Sequence, residues 1–189
     1  FTGAISFGQG YPTTVGAFQV NYSGGRDIAI SKLNPDGSSL LWATYIGGSN
    51  SDYPHSMFAN NMNELYVYGS TDSYDYPTSL NPFQTNNSGG ADIIVTHLTQ
   101  DGSNIIGSTY IGGTSADGRN YIGTNYGDTY RGEIVVDNTG NAYIASFSNG
   151  SFPTTLGSYQ PNNAGGQDGV VFKLNSTLAN LEWSTFLGS

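Results

Sequence analysis

Few side chains in this sequence carry obvious chemistry. His55 and His97 are the only imidazoles in 189 residues and cysteine is absent, so disulfides, thiolate nucleophiles and thiolate metal sites are excluded. A hydrolytic triad requires a hydroxyl and a carboxylate within reach of an imidazole. His55 follows Pro54 in what reads as a loop, with no partner marked by the sequence, and His97 fills a slot that recurs as Lys32 and Lys173. That slot is an ordinary structural position. Paired carboxylates could serve glycoside cleavage, and Asp72, Asp75, Asp117 and Asp128 fall in loops where such groups can converge. Loop aspartates equally cap turns or face water, and no catalytic residue is assigned. Oxygen-rich loops in an acidic chain suit calcium, but no stretch has EF-hand spacing; no cofactor is expected, with calcium the open alternative. The recurring Asp27, Asp92 and Asp168 read instead as acceptors for backbone donors beside a Gly pair. The remaining candidate is the run 119–130, whose Asn120, Tyr121, Asn125, Tyr126 and Tyr130 form a candidate ligand-binding set. Tyrosines there could stack on sugar rings or a protein partner while asparagines hydrogen-bond hydroxyls. The alternative is a loop that covers an exposed sheet edge.

These residues ride on a repeat. Residues 23–48, SGGRDIAISKLNPDGSSLLWATYIGG, recur in recognisable form at 88–113 and 164–189. Gly24, Gly89 and Gly165 stand 65 and 76 residues apart, and Pro12/Pro77/Pro153 and Thr44/Thr109/Thr185 keep the same intervals. The unit is therefore 65 residues long, with a net insertion of 11 after Gly113 in the second copy. Such a unit buries its apolar face only against neighbours. The expected division is a trailing strand in 1–10, unit one at 11–75, unit two at 76–151 with the insertion at 119–130, and a partial unit three at 152–189. The chain opens on Phe1 and reads as a piece of a longer polypeptide.

Within the unit, the first strand spans 27–33, 92–98 and 168–174, and its centre is apolar on both alternating faces: Ala29/Ile94/Val170 on one, Ile30/Val95/Val171 on the other. A strand apolar on both sides needs a layer on each side. Turns such as Asn34-Pro35-Asp36-Gly37 follow, since Pro presets φ and Gly accepts positive φ. The second strand spans 40–46, 105–111 and 181–187. Third and fourth strands are expected at 56–59 and 65–68, and again at 133–136 and 142–145, with a lone strand at 3–7. In the connectors, Phe18, Phe83 and Tyr159 hold one equivalent place, each followed by Gln; a fixed aromatic pins its loop by burial, worth about 1.5–3 kcal/mol. Nothing has helical periodicity.

About four antiparallel strands per unit describe an all-β fold of β-propeller-type blades. The connectors YPTTVGAFQ and YPTSLNPFQ, the run KLNPDG, the motif STYIGG and the hairpin VDNTGNAY also resemble the bacterial SBBP, or beta-propeller repeat, family across nearly the whole chain. Copy three departs from that pattern at Asn175-Ser176-Thr177-Leu178, and copy one at Asn60-Asn61-Met62-Asn63. The resemblance implies secreted or cell-surface bacterial proteins in which such repeats are display modules without shared chemistry.

Charged residues make up only 10% of the chain, with five basic residues and a net charge of −9. No basic face exists to meet a phosphate backbone, so nucleic acid is not an expected partner, nor is insertion into a membrane, since no apolar run has the length of a span. The expectation is a partial propeller of about two and a half to three blades out of the 4–8 that close a ring. It would act as a non-enzymatic extracellular module in adhesion or surface assembly. Its partners would be other repeats of the same longer chain, surface-assembly proteins or glycans. The alternative is a carbohydrate-active propeller enzyme using the loop carboxylates.

Overall fold

Each Gly-bearing turn folds the two strands beside it into an antiparallel hairpin. In the first, Gly37 N–H donates to Asn34 O at 3.0 Å, closing the turn between β2 (Asp27–Leu33) and β3 (Leu40–Ile46). The computed structural model describes residues 1–121 and 129–189, and among these the remaining strands are β1 (Thr2–Ser6), β4 (Asp52–Ala59), β5 (Leu65–Thr71), β6 (Asp92–Leu98), β7 (Ile105–Ile111), β8 (Glu133–Val136), β9 (Ala142–Ser148), β10 (Asp168–Leu174) and β11 (Leu181–Leu187). The described residues form no helix. The strands make three antiparallel sheets in which sequence neighbours pair: β1-β2-β3, β4-β5-β6-β7 and β8-β9-β10-β11. The expected first and second strands of the unit match in extent. Of the later ones, β8 matches its expected 133–136 and the lone strand β1 lies one residue earlier than expected, while β4, β5 and β9 run longer, because the backbone ladder of β4 starts at Asp52 and those of β5 and β9 continue to Thr71 and Ser148.

The sheets are out of step with the sequence repeat. Strands β4 and β5 close the unit at 11–75, yet they share a sheet with β6 and β7, which open the next. Register repeats with the unit: Ile28 pairs with Ile46, Ile93 with Ile111 and Gly169 with Leu187, and each hairpin shifts register just before Leu33, Leu98 or Leu174.

A glutamine clasp recurs three times where the connector meets the sheet. In the middle copy, Gln84 Nε2 donates to Asn86 O, Ser88 Oγ and Asp92 Oδ2, all at 2.9 Å, while its Oε1 accepts Gly112 N–H at 3.1 Å. Gln19 and Gln160 make the matching bonds to Asp27 and Asp168, and Gly47 and Gly188 donate to them. The three aspartates also accept backbone N–H groups from Ser23, Ser88 and Ala164. A hydrogen bond contributes about 1 kcal/mol net and more to a charged group, so Gln84→Ala is expected to cost about 2–3 kcal/mol in urea unfolding; a loss under about 0.5 kcal/mol would mean that the clasp is incidental.

Burial follows the two-faced strands. On β6, Ile93 and Val95 join Ile111, Ile144, Val170, Phe172 and Phe186 in one core. Ile94 and Leu98 join Ile28, Ile30, Trp42 and Ile46 in the other. The middle sheet therefore lies between its two siblings. Leading strands make the close approaches, with β4 beside β8 and β1. Among the described residues no sheet covers the outer face of the last one: β10 alternates buried with half-buried residues, and Tyr159 is 86% exposed where Phe18 and Phe83 are half-buried. The expectation that this aromatic pins its loop fails at Tyr159 because no further sheet covers it.

Both interfaces are built by matching a knob to a socket, with the sizes exchanged. Trp42 of the first sheet lies over Gly102 in the β6–β7 turn, where a Cβ would meet the indole at 2.5 Å. One interface on, the position of Trp42 is Gly107 and that of Gly102 is Leu178. A Cβ on Gly107 would meet Thr177 O at 2.6 Å and the Leu178 side chain at 3.3 Å. Leu178 holds φ at 57° and is fully buried. The left-handed backbone costs a leucine roughly 1–2 kcal/mol, and burying its side chain contributes about 1.5–3 kcal/mol, so filling the socket outweighs the strain.

Candidate functional site

The densest gathering of chemically capable side chains lies where β4 and β5 meet the segments flanking the insertion. Strand β4 is an edge, which tolerates Pro54 without loss of a ladder bond. The register with β5 passes from Pro54–Gly69 to Ser56–Tyr68, leaving His55 as an unpaired extra residue. Such a bulge re-aims a side chain, and His55 Nε2 reaches Ser70 Oγ at 3.0 Å. Sequence reasoning placed His55 in a loop without a partner; it is a strand residue with a serine hydroxyl beside it, and the bulge explains why alternation concealed the contact.

Arg119 completes this cluster. Its Nε donates to Ser70 Oγ at 3.0 Å, Nη1 pairs with Asp72 Oδ1 at 3.0 Å, and Nη1 donates to Tyr121 OH at 3.4 Å. Its guanidinium carbon lies 4.7 Å from the centre of the Tyr53 ring. From the other side Arg26 Nη1 donates to Tyr53 OH at 2.6 Å. Tyr130 stacks on Tyr53, ring centres 4.5 Å apart, and leans on His55 at 5.5 Å. Two of the chain's five basic residues thus converge on one tyrosine.

Protonation follows from burial. Burial and the neighbouring Arg119 charge push His55 down to about 3, so the ring is neutral at physiological pH. Ser70, which accepts from Arg119, can donate to it. A base that weak takes no proton from a serine at neutral pH. His55 Nδ1 has no hydrogen-bond partner among the described residues, so no acid orients the ring, and Ser70 is fully buried. The dyad geometry therefore serves positioning. Burial works against the Arg119 charge, but the Asp72 and Tyr121 partners more than offset it and hold the guanidinium above its ordinary value. Lysine cannot span Ser70 and Asp72 with one fork, so Arg119→Lys is expected to cost about 1–2 kcal/mol. Urea midpoints check this; an unchanged midpoint would sink it.

The other sequence candidates are dispersed. Asp75 accepts Ser49 N–H and Oγ–H at 2.8 and 2.9 Å. Asp117 is fully buried and accepts Gly113 N–H at 2.7 Å, while Asp72 serves Arg119. The structure brings no two of these three loop carboxylates together on one hydrogen-bonding partner. Within the insertion, Asn120 N–H donates to Thr129 O at 2.9 Å, Tyr121 is exposed, and Tyr130 has one ring face on Tyr53. Asn125, Tyr126 and Asp128 lie outside the described residues. His97 stacks on Tyr66 at 3.8 Å and hydrogen-bonds Glu64 at 3.0 Å, as suits a structural position. Among the described residues no group of three or more His, Asp or Glu is placed to hold a metal ion.

Sequence reasoning missed Ser70, Arg26 and Tyr53. Arg26 had a legible signal, being one of few cations in an acidic chain, but the aromatic it would meet was not. A scan against protein-family models finds no match, and a search of curated proteins finds none.

Proposed function

We propose that the three sheets are successive blades of a β-propeller-type assembly, and that the chain is a non-enzymatic module of a bacterial surface protein acting in adhesion or surface assembly. One observation carries the reading: the middle sheet is buried on both faces by siblings of the same meander topology, with leading strands closest together. Fanned antiparallel meander sheets characterise propellers, whose blades have four strands; two of the three sheets here have four and the first has three, and the resemblance to beta-propeller repeats points the same way. The exposed Tyr121 beside the Arg119–Tyr53–Tyr130 cluster offers a surface for glycans or a protein partner, since loops raised on a rigid scaffold carry recognition. Asp72, Asp75 and Asp117 are engaged in the scaffold, which favours display over hydrolysis.

An antibody raised against the chain should label intact cells of the source organism. Labelling only after permeabilisation would overturn the surface location. Polysaccharide turnover abolished by a single Asp→Asn change at position 72, 75, 117 or 128 would overturn the non-enzymatic part.

A further inference from the structure

The knob-and-socket contact that joins the sheets recurs at the two uncovered faces, with its halves unfilled. In the covered interface between the first and middle sheets, Trp42 Nε1 and Lys32 Nζ both donate to Gln100 O, at 2.9 and 3.1 Å, and Phe18 N–H donates to Gly102 O at 2.9 Å. Two units on from the donors stand Trp183, Lys173 and Tyr159, all on the last sheet or its connector. One unit before the acceptors stand Pro35 and Gly37, in the turn of the first sheet. Trp183 is 40% exposed against 6% for Trp42, and a Cβ on Gly37 would meet nothing within 4 Å. Beside Trp183 the outer face of the last sheet holds an open cavity of about 210 Å³ lined by Val135, Tyr143, Ala145 and Val171 among others.

We infer that the outer face of the last sheet binds the outer face of the first sheet of a second copy of this chain, head to tail. Trp183 seats on Gly37, and Trp183 Nε1 and Lys173 Nζ donate to Pro35 O of the second copy. The size rule selects this occupant. A tryptophan knob takes a glycine turn and a glycine position takes a leucine turn in the two filled interfaces, and the free turn carries glycine. Charge agrees, because Lys173 approaches a turn that bears Asp36. On the outer face of the first sheet the exposed residues Thr2 and Ala4 are small, while Ala29 and Ser31 are already buried, Ser31 against the Tyr11 hydroxyl. A heterologous contact of this kind closes into a ring or extends as a filament. The inference rests on the stacked-blade reading and not on surface location.

Sedimentation velocity of the full chain should show its mass rising with concentration. Trp183→Gly and Gly37→Trp should each remain monomeric over the same range. Mixed in equal amounts they should regain association, since one contact restores Trp183 on Gly37 and the other sets a glycine strand position against a large turn residue, the exchanged arrangement of Gly107 and Leu178. Gly37 sits at φ +74°, so unfolding midpoints of both variants are measured alongside; Trp183→Gly alone decides the matter if Gly37→Trp is unfolded. Monomeric wild type at every concentration, or variants that associate as the wild type does, would overturn the contact. A monomeric wild type with intact stability would leave the blade reading standing, whereas loss of the sheets themselves would show as an absent cooperative transition.

Discussion

Gly107→Trp is expected to destabilise the chain by about 3–5 kcal/mol, and Leu178→Gly in the same molecule to restore most of that loss. Position 107 lies on the strand register that carries Trp at 42 and 183, so the backbone itself admits an indole. What forbids it is the opposite turn, with Thr177 O 2.6 Å from where the Cβ would sit and the buried Leu178 side chain behind it. Leu178→Gly alone opens a cavity and relieves the positive φ, so it should cost less than an ordinary buried leucine, roughly 1–3 kcal/mol. The double variant rebuilds the Trp42–Gly102 pair one sheet further on. A double-mutant cycle should give a favourable coupling of about 1–3 kcal/mol between the two positions. Additive losses would mean that the exchanged sizes are coincidence, and the head-to-tail contact would lose its rule.

The second large effect is on pH. Burial pushes Asp52 and Asp92 up to about 6 and Asp117 up to about 7. The pairs crowd one another: a Cβ on Gly47 would lie 2.8 Å from both the Asp27 and Asp52 carboxylates, and one on Gly112 would lie 2.6 and 2.9 Å from Asp92 and Asp117. Oδ1 of Asp27, Asp92 and Asp117 has no hydrogen-bond partner among the described residues. Between about pH 4 and 7 the folded chain therefore holds protons that the unfolded chain has released, and stability falls as pH rises through that window. For Asp117 alone the loss is roughly 2–4 kcal/mol. Below about pH 4 the trend reverses, because hydrogen bonds hold Asp36, Asp75 and Asp101 below the usual carboxylate range. The urea midpoint should be higher at pH 5 than at pH 8, and Asp117→Asn, which keeps an acceptor for Gly113 N–H, should flatten the slope. A midpoint that climbs from pH 5 to 8 would refute the account.

The first two strands of the unit were legible because their signal is local: apolar runs bounded by Gly pairs and Asp-Gly turns fixed 27–33 and 105–111 to the residue. Strand β4 was read short because Tyr53-Pro54-His55 breaks both alternation and propensity, and only pairing with β5 shows the break to be a bulge. The two-sided apolar pattern of Ile93, Ile94 and Val95 announced a sheet on each side, and both are present. The cluster around Tyr53 was not legible, since Arg26, Ser70 and Arg119 are brought together by packing between sheets, and sequence spacing carries no trace of it. Leu178 looked like a damaged turn; only the glycine facing it reveals a compensating change.

The half-unit offset between sequence copy and sheet bears on how such a chain lengthens. A duplication that adds one 65-residue copy adds no self-sufficient body: it hands two strands backward to complete the preceding sheet and borrows two from the next. New copies are thereby enlisted into the existing stack from the moment they arise, and a damaged copy injures two sheets at once, which favours keeping paired changes such as Gly107 with Leu178.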